Sequence, residues 1–597
     1  MATSMRASRP TSPRPAERRP AAALLGALCT LVACLALWAP FAGAATTTMT
    51  IEGRGWGHGI GMSQYGAYGY ALHGWSYGNI IRHYYTGVTL GKVANVSIRV
   101  LLRDDAASAV VTDAARYRAS WGSTKVTLGA GVTATVTWTG SSYRLKAGSR
   151  TWTPGSPITF TPGSSRLKLL TANDNGAVAH YRGTLRVVRT TSGLAIVNRL
   201  PLESYLRGVV PRESPASWPL AALEAQAVAA RSYAYRSTGG SGLYDVYCTT
   251  ASQVYGGADA EAASSSKAVT ATAGIVPKYK GAAISAFFFS TSGGHTESIS
   301  NVWTGVAQSS YPYLVGVPDP YDSTSPYDKW PDNPIKRTPA SIASALGFSK
   351  GPLRAVAVVK RGTSPRIVKA LLIGDGGWKL TDGATIRADL GLRDTWAYFT
   401  SLTISPPSGV VTYGSKITLG GRLYPALATG KTATLHQEPT GGAWKTSAVK
   451  GKVVTATVDG YAVKDSDLSV SLAPACTTRY YFSAATAMAH TAASAIVTIR
   501  VKPKVTIAPL SSTVATGATV TFTGSVLPVA AAGTVWLQAR ADGTTAWVNA
   551  VKVTVGSDGS YSVGWTAVAG TTSLRISVPA SSKFAAGTSP TATVTAS

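Results

Sequence analysis

Apolar and polar residues alternate from Val96 onward: Val96, Ile98 and Val100 fall on one face, with Ser97 and Arg99 between them. A period of two predicts a half-buried strand. The same pattern recurs in "KVTLGAGVTATVTW", "SRLKLL" and "GTLRVVRTTSGLAIVNR", separated by glycine and serine turns. The apolar stretch around Leu206, Val209 and Val210 also reads as strand-like. Then the character changes. "SWPLAALEAQAVAARSYAYRS" is alanine-rich, holds no glycine and carries Pro219 where a first helical turn tolerates it, so a helix is expected there. Past it, "AVTATAGIVPKY" and "GAAISAFFFSTSGGHTES" return to a strand-like pattern, and "PASIASALGF" predicts a short helix. "RAVAVVKR", "RIVKALLIG" and "TIRADLGLRDTWAYF" close the unit near Thr400. Strands with a few inserted helices give an α+β fold for residues 96–400.

Beyond residue 400 the chain repeats itself. "KITLGGRLYP" and "TVTFTGSVLP" align position for position, pairing Ile417 with Val520, Leu419 with Phe522, Gly421 with Gly524, Leu423 with Val526 and Pro425 with Pro528. Trp444 and Trp547 keep the same offset. Period-two alternation, threonine and valine richness and a unit of about a hundred residues predict two immunoglobulin-like β-sandwiches, over 401–501 and 502–597. They hold few groups that could do chemistry, so spacers or wall-contacting modules are expected.

Composition adds the compartment and the kind of partner. The chain of 597 residues is too long for one domain. It opens with Arg6, Arg9, Arg14, Arg18 and Arg19, then an apolar stretch ending in Ala42-Gly43-Ala44. Positive start, apolar middle and small-x-small finish predict an export signal over 1–44, and a secreted or wall-associated product. "LVAC", ending at Cys34, resembles a lipoprotein cleavage box, but apolar rather than polar residues follow it. Two of the four cysteines lie in that leader; Cys248 and Cys476 are far apart, so no disulfide framework is expected. Only 27 acidic residues oppose 56 basic ones, a net charge of +29. That balance suits anionic wall polymers or anionic lipid, or is simply spread over a solvated surface. The basic residues are scattered, with no dense run and no nucleic-acid module, so nucleic acid is not expected as a partner.

Two stretches carry candidate chemistry. "GRGWGHGIGMSQYGAYGYALHG", from Gly53 to Gly74, is not a dinucleotide loop: from Gly53, Gly55, Gly57 or Gly59 the sixth position is His58, Ile60, Met62 or Gln64. His58, His73 and His83 lack the companions of a metal site, and neither metal nor cofactor is expected. What remains is a structured loop whose glycines let backbone or ligand come close. The second stretch is "NRLPLESYLRGVVPRESPASWPLAALEAQAVAARSYAYR". Glu213 stands there between an apolar segment and the helix beginning at Pro219. A carboxylate at such a junction can face a cleft while apolar neighbours raise its pKa, as a general acid requires; an ordinary surface acid fits as well. Gln226 and Arg231 reach a ligand only if the helix lies against that cleft.

These stretches, with "ASQVYGG", "FFFSTSGGHTES" and "PYLVGVPDPYD", resemble the SpoIID/LytB family of sporulation and cell-wall proteins over roughly residues 50 to 400. The resemblance implies a peptidoglycan lytic transglycosylase that cuts the MurNAc–GlcNAc bond, with Glu213 of "ESPASWP" as its catalytic acid. Other members activate wall amidases, so the alternative is a non-catalytic amidase activator or wall-binding scaffold. The implied partners are glycan strands and, on the alternative, a wall amidase. Within the resemblance the Gly53–Gly74 signature lines the cleft of Glu213, with His58 and Gln64 as substrate or scaffold contacts, or His58 as a packed structural residue. Gln226 and Arg231 are retained. Ser292, Gly293, Gly294 and His295 are expected either to donate hydrogen bonds to sugar or to form a plain turn. Ser252 stands where relatives often have a second cysteine beside Cys248, so neither zinc nor a disulfide is expected there. Many relatives carry the glycine-rich signature at the end of the domain. Here it comes first, so segment 45–95 is expected to pack back on the catalytic domain.

Overall fold

The computed structural model describes residues 48–163, 166–330 and 334–597; the leader expected over 1–44 lies outside the described residues. It is a multi-sheet, mostly β protein with few helices. Strand β1 (Met49–Gly53) leads through the glycine-rich loop into helix α1 (Gln64–Leu72) and helix α2 (Tyr77–Tyr84). Ser63 caps α1 by accepting from the Gly66 N–H, and Ser76 caps α2 through Asn79.

The alternating segments fold as expected. Ser97–Ala106 buries Ile98 and Val100 and pairs with Leu194–Pro201, which forms a hairpin with Thr184–Arg189. They belong to a seven-stranded sheet that shares one core with a six-stranded sheet running through Ala134–Trp138 and Leu167–Leu169.

Three segments depart from their expected class; of "GAAISAFFFSTSGGHTES" only Ala282–Ala283 and Phe288–Phe289 are strand. Leu206, Val209 and Val210 lie not on a strand but on helix α3 (Leu202–Glu213). The buried set Leu202, Tyr205, Leu206, Val209 and Val210 repeats at three and four residues, a helical stripe that overrides the β-branched pair. Helix α4 (Leu220–Ser237) is the helix expected after Pro219. Next, "AVTATAGIVPKY" divides: its first half ends helix α5 (Ala263–Ala271), which buries Ser265, Ala268 and Val269, and Ile275–Tyr279 alone is strand.

The described part of segment 45–95, from residue 48 on, packs on the α4 face. Ile80, Ile81, Tyr84 and Tyr85 share a core with Ala225, Val228 and Ala229. Its β1 lies between Ile335–Arg337 and strand β2 (Ala397–Ser405). β2 continues past residue 400 into pairing with Ile417–Tyr424, Ser401 opposite Tyr424. One six-stranded sheet thus joins the N-terminal segment to the first C-terminal unit, and residue 400 falls inside a strand.

Each C-terminal unit is built from two sheets over its own core, around Leu419, Leu435 and Phe482 in one and Phe522, Leu537 and Ile576 in the other. The aligned glycines do the same job: a Cβ on Gly421 would stand 2.9 Å from the Phe482 ring, and one on Gly524 2.5 Å from the Tyr561 hydroxyl. Among the described residues, no helix is long and apolar enough to cross a membrane.

Candidate active site

Glu213 is the last residue of α3, where the Ser214 N–H closes the final turn on Val210 and the chain turns extended. Its Oε1 accepts from the Val254 N–H at 2.7 Å and its Oε2 from the Gln64 amide at 3.0 Å. Burial pushes the carboxyl pKa up; the two donors and Arg212 pull it down, and burial wins. The negative end of the α3 dipole acts in the same sense as burial. Three sequence-distant motifs thus meet at one carboxyl: "ESPASWP", "GMSQ" and "ASQVYGG".

Gln64 reaches Glu213 because the glycine-rich loop is threaded between two turns. Trp56 and Thr291 exchange backbone hydrogen bonds, the Gly57 N–H donates to Arg393, the Met62 N–H to Phe287 and the Tyr65 N–H to Ser290. The glycines serve this threading rather than open space for a sugar. Gly61 has φ +76° and its Cβ would fall 2.1 Å from the Phe287 carbonyl; a Cβ on Gly59 would meet Arg366 at 2.5 Å. What comes close is the protein's own backbone and Arg366.

The other expected contacts separate. His58 is a packed ring: Nδ1 accepts from the Ile60 N–H at 3.0 Å, and Phe289 and Trp303 lie 5.4 and 5.8 Å away. Burial, with Arg387 and Arg366 beside it, lowers its pKa to about 3, so the ring is neutral. Gln226 is buried next to the site, its Oε1 accepting from Ser214 Oγ at 3.4 Å, while its Nε2 has no hydrogen-bond partner among the described residues. Arg231 is turned away. Fully buried, it forks onto Glu203 at 2.8 and 2.9 Å and donates to the carbonyls of Val269 and Ile275. Glu203 sits ten residues before Glu213 on α3, about 15 Å along a helix. Arg231 therefore ties the far end of α3 to α5.

At Ser292 and Gly293, expected either to donate to sugar or to form a plain turn, the N–H groups donate to the Asp322 carboxylate, at 3.0 and 2.8 Å. The Ser292 carbonyl accepts from Arg366, and His295 Nδ1 is bonded to the Thr296 carbonyl at 2.6 Å. The turn is a structural support for the loop that carries Gln64.

Asp322 is the residue that the pattern did not single out. It also accepts from Ser63 Oγ at 2.6 Å, so one buried carboxylate aligns the cap of α1 and the Ser292–Gly293 turn. Its neighbour Asp319 accepts from the Tyr84 hydroxyl at 2.8 Å, and burial together with Asp322 pushes its carboxyl up to about 8. The signal lay in "PDPYD", quoted for its resemblance but assigned no role. Cys248 is a buried thiol donating to the Leu102 carbonyl, pushed up to about 12 by burial, and Ser252 Oγ accepts from the Tyr247 N–H.

Residues 190–279, which hold Glu213, α3, α4 and the Val254 loop, match the family described as stage II sporulation protein, SpoIID. Stage II sporulation protein D of Bacillus subtilis is 32% identical over 214 residues, 33% of this chain and 60% of that protein. The amidase enhancer of Bacillus subtilis is 47% identical over 117 residues, 20% of this chain and 15% of the relative. An uncharacterized protein of Brachyspira hyodysenteriae is 42% identical over 140 residues, 23% of this chain and 37% of its own length. In each case the chain spans less than two thirds of the relative. The chain carries a SpoIID/LytB-family domain.

Proposed function

We propose that this protein is an exported peptidoglycan lytic transglycosylase that cleaves MurNAc–GlcNAc bonds, with Glu213 as its single general acid and base. The observation that carries the reading is the Glu213 carboxyl, its pKa raised by burial yet provided with two donors for its charged form. The groups acting most strongly on it are the Val254 N–H, Gln64 and Arg212, with no second carboxylate among them. Glycosidases that use water or a covalent intermediate work with a pair of carboxylates. A lytic transglycosylase works with one.

In the first step Glu213 gives its proton to the glycosidic oxygen as the C1–oxygen bond breaks. The Val254 N–H and the Gln64 amide then hold the carboxylate. In the second step that carboxylate takes the proton of the MurNAc 6-hydroxyl as its oxygen bonds to C1. The product is a 1,6-anhydro sugar, no water is consumed, and Glu213 is again protonated. The two C-terminal units, read as immunoglobulin-like sandwiches, would act as spacers or wall contacts, helped toward anionic polymers by the chain's net charge of +29.

The test is digestion of purified peptidoglycan with products read by mass spectrometry. The wild type should release anhydro-ended fragments, and Glu213→Gln should lose about 10²–10⁴-fold of the rate, the usual weight of a general acid. Reducing ends in place of anhydro ends would make it a hydrolase. The relative named amidase enhancer favours one other reading. On that reading the protein alone releases nothing, yet raises the rate of a wall amidase mixed with it.

A further inference from the structure

We propose that Arg393, held between Trp56 and Tyr327, is a carboxylate-binding subsite of the glycan groove that begins at Glu213. The inference rests on the reading of the substrate as peptidoglycan glycan. A line of rings leads away from the acid. Tyr65, next to the Gln64 that bonds Glu213, packs edge-on against Trp218 at 5.0 Å, and Tyr68 lies 4.8 Å from the same indole. Tyr65 is 6.0 Å from Tyr327, and Tyr327 is 4.5 Å from Trp56, which is 36% exposed. Apart from Trp56 these rings are half-buried, each with an apolar body and a polar tip, the kind of surface that suits the C–H faces and hydroxyls of pyranose rings.

Arg393 stands at the outer end of this line. Its guanidinium carbon is 4.8 Å from the Trp56 ring centre and 5.6 Å from that of Tyr327. The Gly57 N–H donates to its carbonyl at 3.0 Å, so its backbone is tied to the same loop that carries Gln64. Yet among the described residues its charge is unanswered. Nη1 is buried and has no hydrogen-bond partner among them, and the neighbouring carboxylates are committed elsewhere, Asp394 to Arg366 at 2.8 Å and Asp328 to Arg54 at 3.4 Å. A cation fixed by two rings and left without an acceptor carries a cost that a bound anion relieves. The planar fork of a guanidinium matches a carboxylate. Glycan strands offer that group in two places: the lactyl ether of MurNAc where it bears no peptide, and the free ends of stem peptides.

The test uses binding rather than turnover, in the Glu213→Gln protein with Arg393 present or replaced. Soluble glycan strands are titrated in three forms: peptide-free, peptide-free with the carboxylates amidated, and peptide-bearing. With Arg393, amidation should weaken binding on the order of tenfold, the weight of one charge-assisted hydrogen bond. In Arg393→Gln the free and amidated strands should bind alike. Arg393→Met, whose stem still fills the gap between the rings, repeats the comparison should the glutamine variant fold poorly. If the peptide-bearing strands alone show the Arg393-dependent gain, the carboxylate recognised is the peptide's. An amidation loss of equal size with and without Arg393 overturns the proposal, as does the absence of any Arg393-dependent difference on both the peptide-free and the peptide-bearing strands. Because no bond is cut, failure to find anhydro products would sink the lytic reading and leave this result standing.

Discussion

At the scale of single residues, the site is a balance between burial and two hydrogen bonds on one carboxyl. Burial favours the protonated acid; the Gln64 amide and the Val254 N–H favour the carboxylate. The sign of a change at Gln64 follows. Removing its amide takes away a donor to the charged form, so the Glu213 pKa rises further. Activity that needs the protonated acid falls as pH climbs through that pKa. The alkaline limb of the pH–rate profile should therefore move to higher pH in Gln64→Leu than in the wild type, and a limb that stays or moves down would show that the amide does not set it. Gln64 was legible in the sequence because it lies inside a recognisable signature. The fate of Ser292 and Gly293 was not. Their N–H groups are taken by Asp322, which lies 30 and 29 residues further on, and no local pattern announces a partner at that distance.

At the scale of elements, the sequence exposed what repeats locally and hid what is decided by tertiary packing. The alternating strands between Ser97 and Pro201 and the helix after Pro219 could be read directly, because period and turn residues agree there. Helix α3 could not be read as helix while its valines were weighed by β preference, although its buried residues keep helical spacing. The glycine-rich loop shows the same limit from the other side. Glycine density announced a close approach, but not to what. Gly61 and Gly74 separate the two costs of replacing a glycine: both have positive φ, but a Cβ at Gly61 strikes the Phe287 carbonyl while Gly74 has nothing within 4 Å. Gly74→Ala should cost about 1 kcal/mol, the strain of a left-handed alanine. Gly61→Ala adds a backbone collision and should cost at least ~3 kcal/mol. Thermal or denaturant unfolding of the two variants measures the gap, and equal losses would mean that the loop has room to move aside.

At the scale of the whole molecule, the candidate site does not end where the motifs around Glu213 end. Strand β1 delivers the glycine-rich loop, and β1 is held by β2, which continues into the first repeat unit. Glu52 of β1 is buried and accepts from Thr486 Oγ1 at 2.5 Å, the Met488 N–H at 3.1 Å and His490 Nδ1 at 2.6 Å, all from that unit. The repeat could be read in the sequence; its attachment could not, because Glu52 and His490 are 438 residues apart. The second unit is joined more lightly, through a small cluster of Val501, Ala531 and Phe584 and the Ala585 N–H on the Val501 carbonyl. Two truncations should therefore differ. A chain ending at Pro503 keeps β2 whole and all three donors to Glu52, so the unfolding midpoint of the remainder should stay near that of the full chain. A chain ending at Thr400 splits β2 and removes the three donors to Glu52 together with the unit that packs over it, a loss on the order of 3 kcal/mol. Its midpoint should drop by several degrees, and with it the registration of Gln64 on Glu213. Equal midpoints in the two truncations would mean that the first repeat unit is an appendage, with no part in holding the loop over the acid.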